Sequence, residues 1–389
     1  METAWPLKFG AFFSPIHSNR QNANLALHAD LELIRHLDVL GFDEVWVGEH
    51  HSIGWECISS PELFIAYAAG QTNRIRFGTG VVSLPYHNPF MVAERMVLLD
   101  HLTRGRVIFG AGPGALVYDA YALGIEPKDQ RRRMEESLEV ILALLRGERI
   151  SRETDWFALR EAKLQLPCYT RPRFEVAVSS VATPSGARLA GKHGLSMLSF
   201  NATMSSSRSV LREQWAIAEQ ESAKSGLMVD RRNWRMVGPI YIAESEEQAM
   251  RDVKSGLEDW LLYMTRISTL DLFKANGKTL PQMIESLVES GFAVIGTPDQ
   301  AIKQIHRQFE SSGGFGTFLL WTNDWASRDA TLRSYELFAR HVVPAFQDLM
   351  PSLVEAEEDA LRREPILVAE SVAAKEQAIR DYARNAGKV

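Results

Sequence analysis

The strongest constraint in this chain is a rhythm: short apolar runs, each followed by a longer stretch with helical periodicity. The runs lie at 7–13, 44–48, 75–82, 107–112, 175–180, 195–200, 236–243 and 316–321. Between the first two, Leu27, Leu31, Ile34 and Leu37 repeat at three- and four-residue spacing, and Gly41 closes the pattern as a helix C-cap. Further helices open at Pro61 and Pro89 and span 131–145, 185–193 and 208–225. Runs rich in Val, Ile and Phe with helices between them imply a parallel sheet buried on both faces. Eight such units predict an α/β fold, a closed (β/α)8 TIM barrel. The rival, an open doubly wound sheet, needs a topological switch point that the sequence does not reveal.

Two regions exceed a minimal barrel. One, at 262–292, is an insertion between the seventh and eighth strands, and its polar break KANGKT at 274–279 suits a lid. The other is a helical tail after Pro351, rich in Ala, Glu and Arg and expected to break at Pro365. The expected division is a barrel over 1–349 and a surface helical extension over 350–389. Hydrophobic residues make up 46% and charged residues 24%, which excludes a disordered chain. The net charge of −6 argues against a nucleic-acid partner. Two cysteines, Cys57 and Cys168, exclude a disulfide scaffold and a Cys-rich metal site. No apolar run reaches the ~20 residues of a membrane span, and METAWPLKFGAFF lacks the basic start and apolar core of a secretory signal. A cytoplasmic protein is the expectation.

In a barrel, chemistry gathers where the strands end and the βα loops begin. Glu49-His50-His51 follows the second run. Side chains alternate along a strand, so His50 shares a side with Trp46 and Gly48 while Glu49 and His51 face the other way. A histidine at the mouth can move a proton near neutral pH, and a structural histidine pair is the plainer reading. A metal is not expected, because adjacent histidines do not converge on one ion and no HExxH is present. The stretch 78–89 holds Gly78, Thr79 and Gly80, where bare backbone would let a flat ligand approach. It ends at Asn88-Pro89, a helix start whose amide could cap the helix or meet a ligand. The GAGPG at 110–114 fails as a dinucleotide loop, since Pro113 interrupts it and position 115 is Ala; a backbone floor for a flat ring suits it better. At 179–186, Ser180, Thr183, Ser185 and Gly186 precede or open a helix, which fits either a phosphate or simple capping. There is no GxxxxGK[ST] and no GxSxG. Trp321 and Trp325, after the eighth run, could wall an apolar pocket.

These stretches, in this order, resemble the bacterial luciferase-like flavin monooxygenases. The likeness covers about residues 7–347 and rests on GFDEVWVGEHH at 41–51, RIRFGTGVVSLPYHNPFMVAERMVLLDHLTRGR at 74–106 and IGTPDQ at 295–300. SIGWECISSPE at 52–62, GAGPGALVYDAYALGI at 110–125 and SSVATPSGARLAGKHG at 179–194 resemble the limonene 1,2-monooxygenase type within that family. The resemblance implies a barrel that binds reduced flavin, FMN or FAD, at its mouth and reacts it with O2 to a C4a-hydroperoxide. The flavin would come from a separate NAD(P)H-dependent reductase, and the substrate would be small and apolar, monoterpene-like. His50 matches the catalytic histidine, and Gly80–Val81 a place where the family can hold a non-proline cis peptide under the ring. Gly112 matches the position beside the reactive edge, Ala182 and Thr183 the phosphate turn, and Gly186 its far side. Thr79, Asn88 and Ser180 complete the expected cofactor-binding set. Pro113 stands where the luciferase pattern has a phosphate-binding arginine, so anion binding falls to the turn after the fifth strand or to another cation. The resemblance also implies a homodimer or higher homo-oligomer through outer barrel helices. The alternatives on this scaffold are Baeyer–Villiger oxygenation of a cyclic ketone, a deazaflavin-dependent reductase and a non-catalytic flavin carrier.

Overall fold

Eight parallel strands form the ring: β1 (Lys8–Phe13), β2 (Glu44–Val47), β3 (Arg76–Thr79), β4 (Val107–Gly112), β5 (Glu175–Ser179), β6 (Ser196–Ser199), β7 (Trp234–Gly238) and β8 (Thr317–Trp321). The computed structural model describes residues 3–14, 16–180, 183–200, 203, 207–266, 279–347 and 351–386. The strand order is β3-β2-β1-β8-β7-β6-β5-β4, and Phe77 and Gly78 of β3 pair with Val107 and Ile108 of β4 to close it. The expected (β/α)8 barrel is thus the observed one.

Alternation along these strands builds two cores. Phe9, Phe13, Val45, Phe77, Phe109, Val176 and Phe318 face outward into the layer shared with the helices. Phe12, Trp46, Ile108, Ala177, Leu198, Val237, Leu319 and Trp321 belong to the second cluster, inside the ring. Trp46, fully buried, fills the middle of the ring. A Cβ at Gly78 would sit inside its indole, and one at Gly110 would overlap the Thr79 carbonyl and crowd the same ring. Those two glycines therefore make room for Trp46.

Beneath Trp46 lies a buried charge cluster. Arg235 Nη2 and Nε meet Glu44 Oε1 and Oε2 at 2.8 and 3.0 Å, and Nη1 meets Glu175 Oε1 at 2.5 Å. Arg76 Nη2 adds a contact to Glu175 at 3.0 Å, and Trp46 Nε1 donates to Glu44 at 2.9 Å. Every lone-pair-bearing oxygen of the two carboxylates has a donor, as burial requires.

The helices are α1 (Ala23–Leu40), α2 (Pro61–Ala69), α3 (Pro89–Thr103), α4 (Val117–Ala122), α5 (Gln130–Leu145), α6 (Pro184–His193), α7 (Ser207–Lys224), α8 (Glu246–Arg266), α9 (Leu280–Glu289), α10 (Pro298–Ser312), α11 (Arg328–Leu337) and α12 (Pro351–Ala386). Asn22 caps α1, its side chain accepting from the Asn24 and Leu25 amides, and Gly41 ends it at φ 87°. The IGTPDQ stretch proves to be a helix start: Thr297 and Gln300 form a capping box on α10.

The structure departs from the sequence reading in several places. An antiparallel hairpin, Ile150–Glu153 with Ala158–Ala162, follows α5. The third run divides, with Val82–Ser83 pairing separately on β4 beyond a cis Gly80–Val81 bond. The seventh run divides as well, and Ile240–Ile242 pairs in parallel with Val294–Gly296. Most of the KANGKT break lies outside the described residues. The chain forms two compact units, Met1–Phe346 and Gln347–Val389. In the second, α12 continues through Pro365 instead of breaking there. A proline removes one backbone donor, and helical residues on both sides let the helix propagate past it. Among the described residues no helix is long and apolar enough to cross a membrane.

Replacing Arg235 with Ala would leave buried Glu44 and half-buried Glu175 beside a single partly exposed Arg76. Urea unfolding of Arg235→Ala should show a loss of about 3–5 kcal/mol, and a loss under 1 kcal/mol would mean that the cluster contributes little.

Candidate active site

The two adjacent histidines after β2 have separate surroundings. His50 lies between two carboxylates: its Nδ1 is 3.1 Å from Asp119 Oδ2, and its Nε2 is 3.1 Å from Glu56 Oε2. Asp119, on α4, also accepts from the His51 amide at 3.0 Å and from the Ser52 hydroxyl. Glu56 accepts a hydrogen bond from the Tyr263 hydroxyl of α8. Burial disfavours a charged ring at His50, but the charges of Glu56 and Asp119 and the Asp119 hydrogen bond outweigh it and raise its pKa. Burial likewise opposes ionised Asp119, and its bonds to His50 and Ser52 prevail and hold its pKa low.

Glu49 faces the other way and gathers three donors. Its Oε1 accepts from His51 Nε2 at 2.8 Å and His87 Nε2 at 2.7 Å, and Oε2 accepts from the Ser83 amide at 2.9 Å. The Glu49, His51 and His87 donor atoms lie within 4.8 Å of one another. Hydrogen bonds already saturate this carboxylate, and Arg95 Nη2 approaches His87 Nδ1 at 3.5 Å. The trio is therefore a hydrogen-bonded lock between two loops. Burial opposes the ionised form of Glu49, but the two imidazoles and the amide more than offset it and pull the pKa to about 2. The Glu49 hydrogen bond also raises the pKa of His51.

The other expected site residues divide by what occupies them. Thr79 is fully buried, and its hydroxyl bridges to Gly110, donating to the carbonyl at 2.8 Å and accepting from the amide at 2.9 Å. Asn88 is exposed and caps α3, accepting from the Phe90 amide at 3.0 Å. Ser180 is buried and donates to Gln214 Oε1 at 2.9 Å. Gly80 lies against Phe12, and Gly112 against Val81 and Ser179, so a Cβ at either would crowd its neighbours. Gly186 lets α6 approach the Ser179 carbonyl closely. Thr183 stands at the N-cap of α6 with its hydroxyl 2.9 Å from that of Ser185, and it does not cap the helix. Ala182 lies outside the described residues. Sequence reasoning missed Glu56, His87, Asp119 and Tyr263 as site members, although Glu56, His87 and Asp119 lie inside three of the stretches that carried the resemblance.

Above Trp46 the interior turns aromatic. Phe12 and Phe200 lie 5.1 Å apart, Phe200 and Trp321 4.6 Å, and Trp321 and Trp260 of α8 5.6 Å. Among the described residues, the Trp321 indole N–H is buried without a hydrogen-bond acceptor. An orphaned donor beside this layer fits a bound group that carries ring carbonyls. The hydroxyls and open first turn of α6 fit a phosphate. A flavin matches both features.

The luciferase-like monooxygenase family matches residues 7–314. The chain belongs to that family. It is 50% identical over 346 residues to limonene 1,2-monooxygenase of Rhodococcus erythropolis, covering 89% of this chain and 88% of that protein. It is 46% identical over 345 residues to 4-hydroxyprotoasukamycin monooxygenase of Streptomyces nodosus subsp. asukaensis, covering 87% and 92%. Among solved structures, the oxygenating constituent of 3,6-diketocamphane monooxygenase from Pseudomonas putida, a type II Baeyer–Villiger enzyme in complex with FMN, matches with a TM-score of 0.74 at 25% identity. That match covers 87% of this chain and 98% of that one. This luciferase-like protein is a flavin-dependent monooxygenase.

Ionised Glu49 contributes stability that is present above the ordinary carboxylate pKa of 4.5 and is lost as the pH falls toward about 2. At about 1.4 kcal/mol per pH unit, the contribution is about 3 kcal/mol. In urea unfolding, Glu49→Gln should be less stable than the parent by about that amount near neutral pH and nearly equal to it near pH ~2. A gap that does not change with pH would refute the lock.

Proposed function

We propose that this chain is the oxygenating component of a two-component flavin monooxygenase. It takes reduced FMN from a separate NAD(P)H-dependent flavin reductase and adds one atom of O2 to a small apolar, monoterpene-like substrate. The observation that carries this reading is a half-buried imidazole, His50, held between two buried carboxylates near an aromatic layer at the mouth. Likeness to a limonene oxygenase over most of both chains supports the substrate class.

When bound, reduced flavin supplies the electrons that activate O2. The open first turn of α6, with the Thr183 and Ser185 hydroxyls, would hold its phosphate. Gly80, Val81 and Gly112 would lie against the ring, and Trp321 would offer its free indole donor. Phe12, Phe200 and Trp321 form an aromatic layer, Trp260 and Tyr263 of α8 belong to the same cluster, and together they would keep water from the reacting centre. His50 holds a proton where oxygen transfer needs one. Alkene epoxidation needs an electrophilic oxygen, which a protonated neighbour favours. Baeyer–Villiger chemistry needs a nucleophilic, deprotonated oxygen, so the charged surroundings of His50 favour epoxidation. The exposed Leu63 and Tyr67 of α2 and Leu98 and Leu102 of α3 support association into a homodimer through those helices.

Supplied with FMN, a flavin reductase and NADH, the protein should consume O2 and convert limonene to an epoxide. Lactone from a bicyclic ketone, with no epoxide, would favour the Baeyer–Villiger alternative, and hydride transfer without O2 uptake would point to a deazaflavin reductase. His50→Ala should bind reduced FMN nearly as the parent does, while product formation falls about a hundredfold or more. Normal turnover by His50→Ala would remove the proton role from this residue.

A further inference from the structure

We propose that Glu56 is a positioning residue whose negative charge keeps His50 in its doubly protonated form, with Tyr263 of α8 packed behind it. The inference deepens the reading above, in which His50 carries the proton, and rests on it for its link to turnover.

A neutral imidazole has one N–H and one bare lone pair. His50 Nδ1 hydrogen-bonds with Asp119 Oδ2 at 3.1 Å, and its Nε2 lies 3.1 Å from Glu56 Oε2 as an ion-pair contact. A neutral ring would leave two carboxylates around one uncharged group, and the imidazolium compensates both. The other oxygen of Glu56 accepts from the Tyr263 hydroxyl. Glu56 is buried, as are Asp119 and Tyr263, so water does little to spread these charges.

Glu56 is also held in place. Its backbone bridges to Ile16, the His17 amide donates to the Trp55 carbonyl at 3.0 Å, and the His50 amide donates to the Ile58 carbonyl at 3.0 Å. Trp55 packs against Tyr263 with ring centroids 5.3 Å apart. The groups that face His50 come from several elements: Asp119 from α4, Glu56 from the loop after β2, and Glu49 and His51 from its own strand end. Tyr263 stands behind Glu56, and Tyr86 lies near Asp119 and His51. His51 and His87 already occupy Glu49, which leaves Glu56 and Asp119 to compensate His50. The raised pKa of His50, with Glu56 the largest influence in that direction, agrees with this geometry.

Two substitutions separate charge from packing. Glu56→Gln keeps the size and shape of the side chain and removes the negative charge that favours the imidazolium, whichever way its amide points. In Tyr263→Phe the carboxylate stays and loses a competing donor, so His50 stays protonated.

The test is a pH titration of histidine NMR signals in the protein without flavin. Ten histidines are present, and the His50 signal is the one missing in His50→Ala. In the parent and in Tyr263→Phe, the His50 midpoint should lie above that of an ordinary histidine. In Glu56→Gln its midpoint should fall by about one pH unit or more. Glu56→Asp keeps the charge on a shorter arm and should lower the midpoint by less, and it serves if Glu56→Gln does not fold. With flavin, reductase and substrate, the product yield of Glu56→Gln should fall at neutral pH and recover toward acidic pH. A His50 midpoint in Glu56→Gln equal to the parent's would overturn the proposal. A fall in Tyr263→Phe as large as that in Glu56→Gln would also overturn it, because loosened packing would then explain both. If neither parent nor variants oxygenate any substrate, the functional reading fails, and the titration still decides the charge on His50.

Discussion

A ring of eight strands has to fill its own middle, and here one indole does most of that. Trp46 needs glycine at positions 78 and 110 on the facing strands and carries Arg235 5.3 Å from its ring. Its N–H anchors Glu44, which with Glu175 neutralises that arginine. The lower interior is thereby a satisfied polar plug and the middle a dry one. The aromatic layer of Phe12 and Trp321 rests on this plug, in register with Trp46 through the Phe12–Trp46 and Phe12–Trp321 pairs. The mouth stands on this packed column rather than on its own loops.

The barrel was legible because its strands are buried on both faces and so read as plain apolar runs. The hairpin at 150–162 escaped because its residues alternate between half-buried and exposed, leaving no run to see. Glycines proved ambiguous: Gly78 and Gly110 look like ligand-facing gaps, yet they yield to a neighbouring side chain. Alternation correctly placed Glu49 and His51 on one side of the strand end and His50 on the other. What surrounds His50 was not legible. Asp119 and Tyr263 lie 69 and 207 residues from their partners, and only the closed ring brings them together.

The contrast between neighbouring histidines follows from that closure. His51 shares its carboxylate with His87 and an amide, so Glu49 is a joint between two loops. His50 stands between two carboxylates whose other donors are neutral, a surplus of negative charge around one ring. One peptide unit thus separates an architectural imidazole from one whose charge is set by its surroundings.

The Glu49 joint has a consequence for anyone rebuilding this rim. Its donors come from the segment after β2 and from the segment after β3, through His51, His87 and the Ser83 amide. Grafting either segment alone from a relative would strand a buried anion or two imidazoles. A working chimera has to carry both segments together, as one inherited cassette.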